Sequence, residues 1–490
     1  MDYINNLPDE VLNKVFQLVC PKICWEVGFQ PQSHREGKAR RPMFIGHLSR
    51  VCRPWRSIVL TYPCLWSNVD LHIHTIPFNI LAGTSRYRPE LMEHVLQRSK
   101  THPLTIKLTA TDHENNNKFE KAFETLYSVS ERWSDVHLDG HLLLLMVKRN
   151  PSRWTYRKRP MPRLKRLTLS RSRHCDSLLG ILMDLTSNTL PSLTHLTLDR
   201  YESLSSIACQ VTSRGFPWSQ ITHLCLKDGL GKAWMELGSI DDFFRQLPEL
   251  EDLAIEPLLN SRRRAKPPAE LYCLKSFAFV MEYGIGTSDQ KELANALSFI
   301  KAPNLETLKV TIHSSMDAKV AHACLPPFLE QSGGSLKRIS LIGFGEGLTT
   351  STLRLTPTVE CLSLSMIGCL VPLECLTWKP DKPNILPSLT TLIIDGMAVG
   401  DRASLTHLLD SRVRLPRHSD SSTRSDSPVT LKTLHITLDH SMRTFFEGAI
   451  EFFHGIWETY PLKGDLWPMD IGIYPDHIME TAIFRKPTHE

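Results

Sequence analysis

One short pattern recurs ten times between residues 164 and 436, and it constrains the fold more than any other feature of the chain. It reads apolar, two polar or charged residues, apolar, one variable residue, apolar. The first copies are Leu164-Lys-Arg-Leu167-Thr-Leu169, Leu193-Thr-His-Leu196-Thr-Leu198 and Ile221-Thr-His-Leu224-Cys-Leu226. Leu250-Glu-Asp-Leu253-Ala-Ile255, Leu274-Lys-Ser-Phe277-Ala-Phe279, Leu305-Glu-Thr-Leu308-Lys-Val310 and Leu336-Lys-Arg-Ile339-Ser-Leu341 continue the series. Val359-Glu-Cys-Leu362-Ser-Leu364, Leu389-Thr-Thr-Leu392-Ile-Ile394 and Leu431-Lys-Thr-Leu434-His-Ile436 complete it, and Trp133-Ser-Asp-Val136-His-Leu138 is an earlier, degenerate copy.

Successive copies start about 23 to 31 residues apart, stretching to about 42 before the last, close to the leucine-rich-repeat period. The two final apolar positions are separated by one residue, so in a strand they face the same side. One such unit cannot bury that side alone, and neighbours must stack to share a core. Proline marks the approach to several copies, as in Pro191-Ser192, Pro248-Glu249, Pro303-Asn304 and Pro387-Ser388. It ends a helix and cannot donate to a ladder, which suits the corner before a strand. Segments between copies, such as Ser177 to Leu185 and Lys291 to Ile300, have the spacing of amphipathic helices. The expected fold is α/β, a solenoid with a curved parallel sheet and helices on its convex face.

Composition agrees with a repeated apolar anchor: 69 of the 490 residues are leucine, and 32 prolines outnumber 24 glycines. The longest apolar run, Leu142 to Val147, is far short of the ~20 residues a membrane span needs. The first residues lack the basic and apolar regions of a signal peptide, and the 12 cysteines are scattered, several inside the strand pattern. The expectation is a reduced, intracellular protein, cytoplasmic or nuclear, with no membrane partner. A net charge of +5 over 490 residues is too weak to argue for nucleic acid, and no nucleic-acid partner is expected.

Residues 1–72 are patterned differently. Leu7-Pro8-Asp9-Glu10-Val11-Leu12 opens a helix that continues through Val15, Phe16, Leu18 and Val19, with proline in its first turn and carboxylates at its positive end. Val51-Cys52-Arg53-Pro54-Trp55-Arg56 and then Leu65-Trp66 follow. This is more apolar surface than a unit of that size can bury, so a partner is expected. The three blocks, in order, resemble the F-box motif, and the arrangement with repeats behind resembles the large fungal F-box/leucine-rich-repeat families.

The resemblance implies an F-box domain at 1–72 and a leucine-rich-repeat-like solenoid at 73–490. It implies that the F-box docks on a Skp-type adaptor, and through it on a cullin, while the repeats recruit an unknown protein substrate. Carried over by position, the adaptor-binding residues would be Leu7, Pro8, Val11, Leu12, Val51, Cys52, Trp55, Leu65 and Trp66, some of them belonging instead to the F-box core. The family joins its first two blocks by a short connection, whereas here residues 21–44 form a long basic insert, expected to loop out.

Little intrinsic chemistry is legible. Cys20, Cys24, His34 and His47 lack the paired spacing of a zinc site, so no metal is expected, and no cofactor. Gly343-Phe344-Gly345-Glu346-Gly347 places Leu348 where a dinucleotide fingerprint needs glycine or alanine, and reads as a turn after a strand. No nucleophile is identifiable with its base, and no enzyme activity is expected. The basic stretches Arg153 to Arg173 and Ser261 to Lys266 read as solvated loops, and the Ser-, Arg- and Asp-rich stretch Arg412 to Pro428 as a disordered insertion. Lys165, Arg166, His195, His223 and Lys337, at variable repeat positions, are candidates for target recognition. The expected function is a substrate-recognition subunit of an SCF-type ubiquitin ligase; the alternative is a repeat scaffold that holds the adaptor without promoting ubiquitination.

Overall fold

Apolar residues two apart become strands because a pleated backbone turns both to one side, and all ten copies, with the degenerate one, run into strands. The computed structural model describes residues 7–19, 23–27, 45–73, 89–110, 117–140, 159–170, 189–199, 216–227, 243–255, 268–281, 297, 300–312, 325–344, 346–365, 373–379, 384–397, 402–413, 431, 433–438, 470–473 and 480–485. Contacts divide the chain into two units, Met1–Ala233 and Trp234–Glu490.

The first unit opens with helix α1 (Asp9–Val19), strand β1 (Ile23–Val27), the single turn α2 (Ile45–Leu48) and helix α3 (Arg53–Thr61). After a 3-10 turn at Pro63–Trp66 come β2 (Asn68–Ile73), α4 (Pro89–Arg98), β3 (Leu104–Ala110), α5 (Asn117–Tyr127) and β4 (Trp133–Asp139). The repeat copies then supply β5 (Arg166–Ser170), β6 (His195–Asp199) and β7 (His223–Lys227). These seven strands pair in chain order, every pair parallel. Parallel neighbours require a crossover between them, which α4 and α5 provide on either side of β3.

The second unit contains β8 (Asp252–Ile255), β9 (Ala269–Glu270), β10 (Ser276–Met281), β11 (Ile300–Lys301), β12 (Thr307–Ile312) and β13 (Arg338–Ile342). They are followed by α6 (Glu346–Arg354), β14 (Cys361–Ser365), β15 (Thr391–Met397), α7 (Arg402–Val413), β16 (Thr433–Leu438), β17 (Asp470–Ile473) and β18 (Glu480–Arg485). The order β8-β10-β12-β13-β14-β15-β16 is parallel throughout. β9 and β11 form a separate parallel pair.

The core is built from the repeated positions. The opening residue of each copy, from Leu164 through Leu431, is buried, as are paired strand residues such as Leu196 and Leu198. A backbone staircase fixes the register. The carbonyl of Lys165 accepts from the amides of Thr194 and His195, both at 3.0 Å, and that of Thr194 accepts from Thr222 and His223. The same step recurs from Glu251 to Lys275, Lys275 to Glu306, Glu306 to Lys337, Lys337 to Glu360 and Glu360 to Thr390. Each copy thereby sets the phase of the next.

Several expectations need correction. The basic insert does not simply loop out: its residues Ile23–Val27 form β1 and pair with Val69–Ile73, capping one edge of the sheet. β2 runs from Asn68 to Ile73, one residue past the expected end of the head at 72. Ile300, the expected end of a helix from Lys291, belongs instead to β11 (Ile300–Lys301); most of that segment and the expected helix at 177–185 lie outside the described residues. The parallel order also stops at β16, where β18 and then β17 pair antiparallel. An added strand of opposite sense covers the edge that a final parallel strand would leave open. Arg412, read as the start of a disordered insertion, instead sits in the last turn of α7 and is buried; residues 414–428 lie outside the described set.

Gly343 is a turn residue, as expected. It leaves β13 at φ 79°, and a Cβ there would overlap the backbone carbonyl of Ile312. Only glycine combines that dihedral with that approach.

Candidate functional site

Helix α1 starts at proline for a physical reason. Pro8 needs no amide partner, its carbonyl accepts from Val11 and Leu12 at 3.0 and 3.1 Å, and Asp9 and Glu10 face the positive helix end. The apolar residues of this segment divide between two faces. Leu12 and Phe16 are each 2% exposed. Leu7, Val11, Val15 and Leu18 are 39, 42, 40 and 82% exposed. The outer set is spaced four, four and three residues apart, which makes a stripe on one side of a helix.

The rest of the head holds α1 in place. Cys52 precedes α3 with extended backbone, and Pro54 lies in its first turn. Ile58 and Val59 turn inward, and the Trp55 ring lies 4.8 Å from that of Phe16 at a 60° tilt. Trp66 donates from Nε1 to the Val59 carbonyl at 2.6 Å, and the Arg98 guanidinium of α4 lies 5.1 Å from its ring centroid. Gln17 of α1 donates to Cys64 Sγ at 3.0 Å. Val51 is exposed beside α3, and Leu60 is exposed on it.

The nine residues carried over by position therefore fall into three sets. Leu7, Pro8, Val11 and Val51 are exposed. Cys52, Trp55 and Trp66 are half-buried, with Trp55 and Trp66 engaged inside the head. Leu12 and Leu65 are buried, which puts them in the inner, F-box-core set that the sequence left unseparated from the contacts. Val15 and Leu18 were absent from the expected contact set although they extend the same face. Their signal was the helical period counted from Leu7 and Val11.

The recognition candidates separate in the same way. Arg166, His195 and His223 occupy matching register positions on β5, β6 and β7, with Lys165 one residue before Arg166. Arg166 lies 3.6 Å from Asp135 of β4, and Lys107 lies 4.0 Å from Asp70. Lys337 belongs to the second unit and is held by Glu306 at 3.3 Å, as Lys275 is by Glu251 at 3.1 Å. Two arginines of the basic run, Arg159 and Arg163, donate to the carbonyls of Ser128 and Thr101. They fasten repeats together and are not solely solvated. Among the described residues, no three His, Cys, Asp or Glu converge as a metal site, and no helix is long and apolar enough to cross a membrane.

Residues 4–72 match the F-box-like family model. The chain therefore carries an F-box-like domain, which includes α1, the turn at Pro63–Trp66 and nearly all of β2. F-box domains in general bind Skp-type adaptors and are non-catalytic. No curated protein matches the chain.

Proposed function

We propose that this chain is the substrate-recognition subunit of an SCF-type cullin–RING ubiquitin ligase. Its F-box-like domain docks on a Skp-type adaptor, and its leucine-rich-repeat-like strands hold the protein to be ubiquitinated. The observation that carries the reading is the exposed stripe Leu7, Val11, Val15 and Leu18 on α1, inside the matched residues. Four apolar side chains facing water on one helix face are stabilised when a partner covers them. The contribution to the reaction is proximity. Fixing a target beside a ubiquitin thioester raises the effective concentration of its lysines without any bond chemistry by this chain.

Affinity purification of the tagged full chain from cells, with and without Leu7→Asp/Val11→Asp, tests the proposal. Adaptor and cullin are expected with the unaltered chain and absent with the variant. Equal recovery by both would overturn the assignment of this face. Adaptor recovered without cullin would favour the scaffold alternative.

A further inference from the structure

Strands β12 and β13 place four side chains in a square on the sheet face turned away from the buried Leu308, Val310, Ile339 and Leu341. Register sets Thr307 opposite Arg338 and Lys309 opposite Ser340, and residues two apart on a strand share a face. The cations Lys309 and Arg338 therefore occupy one diagonal, and the hydroxyls of Thr307 and Ser340 the other. Both cations are exposed, and none of the four has a side-chain hydrogen bond or ion pair among the described residues. Other lysines of this unit are held by glutamates: Lys275 by Glu251 at 3.1 Å, Lys301 by Glu270 at 2.7 Å and Lys337 by Glu306 at 3.3 Å.

The borders keep the square open. Ser276 and Ala278 flank it on β10, and Cys361 and Ser363 on β14. These side chains are short, so nothing in the two rows covers the cations or offers them a carboxylate. Glu306, Lys337 and Glu360 form the row before it, and Glu306 is already engaged by Lys337. Two like charges on neighbouring strands repel, and an anionic partner relieves that repulsion.

Spacing selects the anion. With strands ~4.8 Å apart and ~3.3 Å per residue, the diagonal between the cations spans about 8 Å. Side chains on one face of an extended peptide recur about every 6.6 Å, a mismatch that flexible Lys and Arg stems absorb. One carboxylate can then meet each cation, its second oxygen turned toward a neighbouring hydroxyl. A single phosphate would require both cationic heads to converge on one point.

Resting on the reading that the repeat strands hold a protein target, we propose that Lys309 and Arg338 bind an extended acidic segment of that target with carboxylates two residues apart. Thr307 and Ser340 complete the site as neutral donors.

The test is fluorescence anisotropy of the full chain with fluorescein-labelled peptides of twelve residues. One alternates Glu and Ser, so its carboxylates recur every second residue. A second repeats Glu-Glu-Ser-Ser, which keeps the charge and leaves no two glutamates two apart. A third alternates Gln and Ser, and a fourth replaces the glutamates of the first by one central phosphoserine and glutamines. The alternating Glu peptide is expected to bind best. Lys309→Gln/Arg338→Gln should weaken it about tenfold, and each single change should weaken it in the same direction. Arg354→Gln removes an exposed cation from α6 and should leave binding unchanged. The substituted side chains are exposed, so circular dichroism should match the unaltered chain throughout. Equal binding of the two Glu peptides, or of the Glu and Gln peptides, would overturn the site, as would an unchanged double variant. An equal loss with Arg354→Gln would also overturn it, showing a general field instead. Preference for the phosphoserine peptide would overturn the carboxylate assignment. Peptide binding needs no adaptor, so failed adaptor capture would count against the ligase reading while leaving this result standing.

Discussion

The guanidinium of Arg412 donates from Nη1 to the carbonyl of Leu386 at 3.0 Å, and Leu386 is a leucine held at φ 52°. The same side chain donates to the carbonyls of Ile385 and Leu376, both at 2.7 Å. Arg412 is 2% exposed, and burial pulls its pKa down to about 10. A left-handed leucine costs about 1–2 kcal/mol. Hydrogen bonds from a buried cation to three carbonyls hold it there. Arg132 acts similarly in the first unit, donating to the carbonyls of Leu96 and His102 and to Ser99 Oγ.

Replacing Arg412 by methionine keeps the apolar stem and leaves three carbonyls without their donor. The expected loss is about 3–5 kcal/mol in urea unfolding of the full chain. Arg412→Lys should recover only part of it, because an ammonium cannot span three acceptors in the guanidinium plane. A loss below about 1 kcal/mol for methionine would show that the carbonyls are satisfied otherwise.

Arg412 also marks where local reading failed. It stands in a run of Ser, Arg and Asp, and composition alone assigns such a run to solvent. Its acceptors lie 26 to 36 residues upstream, so nothing nearby announces its burial. Leu196 and Leu198 were legible for the opposite reason: their spacing is itself the strand period, and each repeat pairs with its neighbour. β2 escaped notice because Val69 and Leu71 follow directly on the Leu65-Trp66 block, inside the residues read as the F-box. The head was legible as a motif, yet its inner and outer residues were not. Leu12 and Val11 are adjacent and equally apolar, and only the packing of α1 on α3 and the following turn separates them.

That separation can be measured. Leu12→Ala empties a core position and should cost about 2–5 kcal/mol of stability. Val11→Asp changes an exposed site and should alter stability by about 0.5 kcal/mol or less, while abolishing adaptor capture in a pull-down. A Val11→Asp protein that keeps the adaptor would count against the stripe as the docking face.

Gly343 should tolerate no side chain. Alanine at φ 79° is strained, and its Cβ meets the Ile312 carbonyl on the adjacent strand. Gly343→Ala should cost about 1–3 kcal/mol, read as a lower urea midpoint. A midpoint within error of the unaltered chain would mean that β12 and β13 can part at this point.

Stability of the first unit should fall as pH drops below 6.5. Burial lowers the His137 pKa from its ordinary 6.5, with Lys107 acting in the same direction and Asp199, Asp70 and Asp135 opposing. Its Nε2 lies 3.0 Å from Ser170 Oγ on the next strand. His102 is also lowered, by burial and then by Arg132 and Arg163. A lowered pKa means that the folded state binds protons less readily than the unfolded chain. Above 6.5 both states are largely neutral and nothing is lost. Below it the unfolded chain takes up protons first, so stability declines until the folded pKa values are passed. Hydrogen exchange at the amides of β3, β4 and β5 reports this locally, and protection there should be weaker at pH 5.5 than at pH 7.5 after correction for intrinsic rates. His137→Gln keeps a hydrogen-bonding group toward Ser170 but cannot titrate, so it should flatten part of that dependence. An equally steep dependence in the variant would assign it to His102 or to other groups, and protection rising toward pH 5.5 would reverse the sign argued for both histidines.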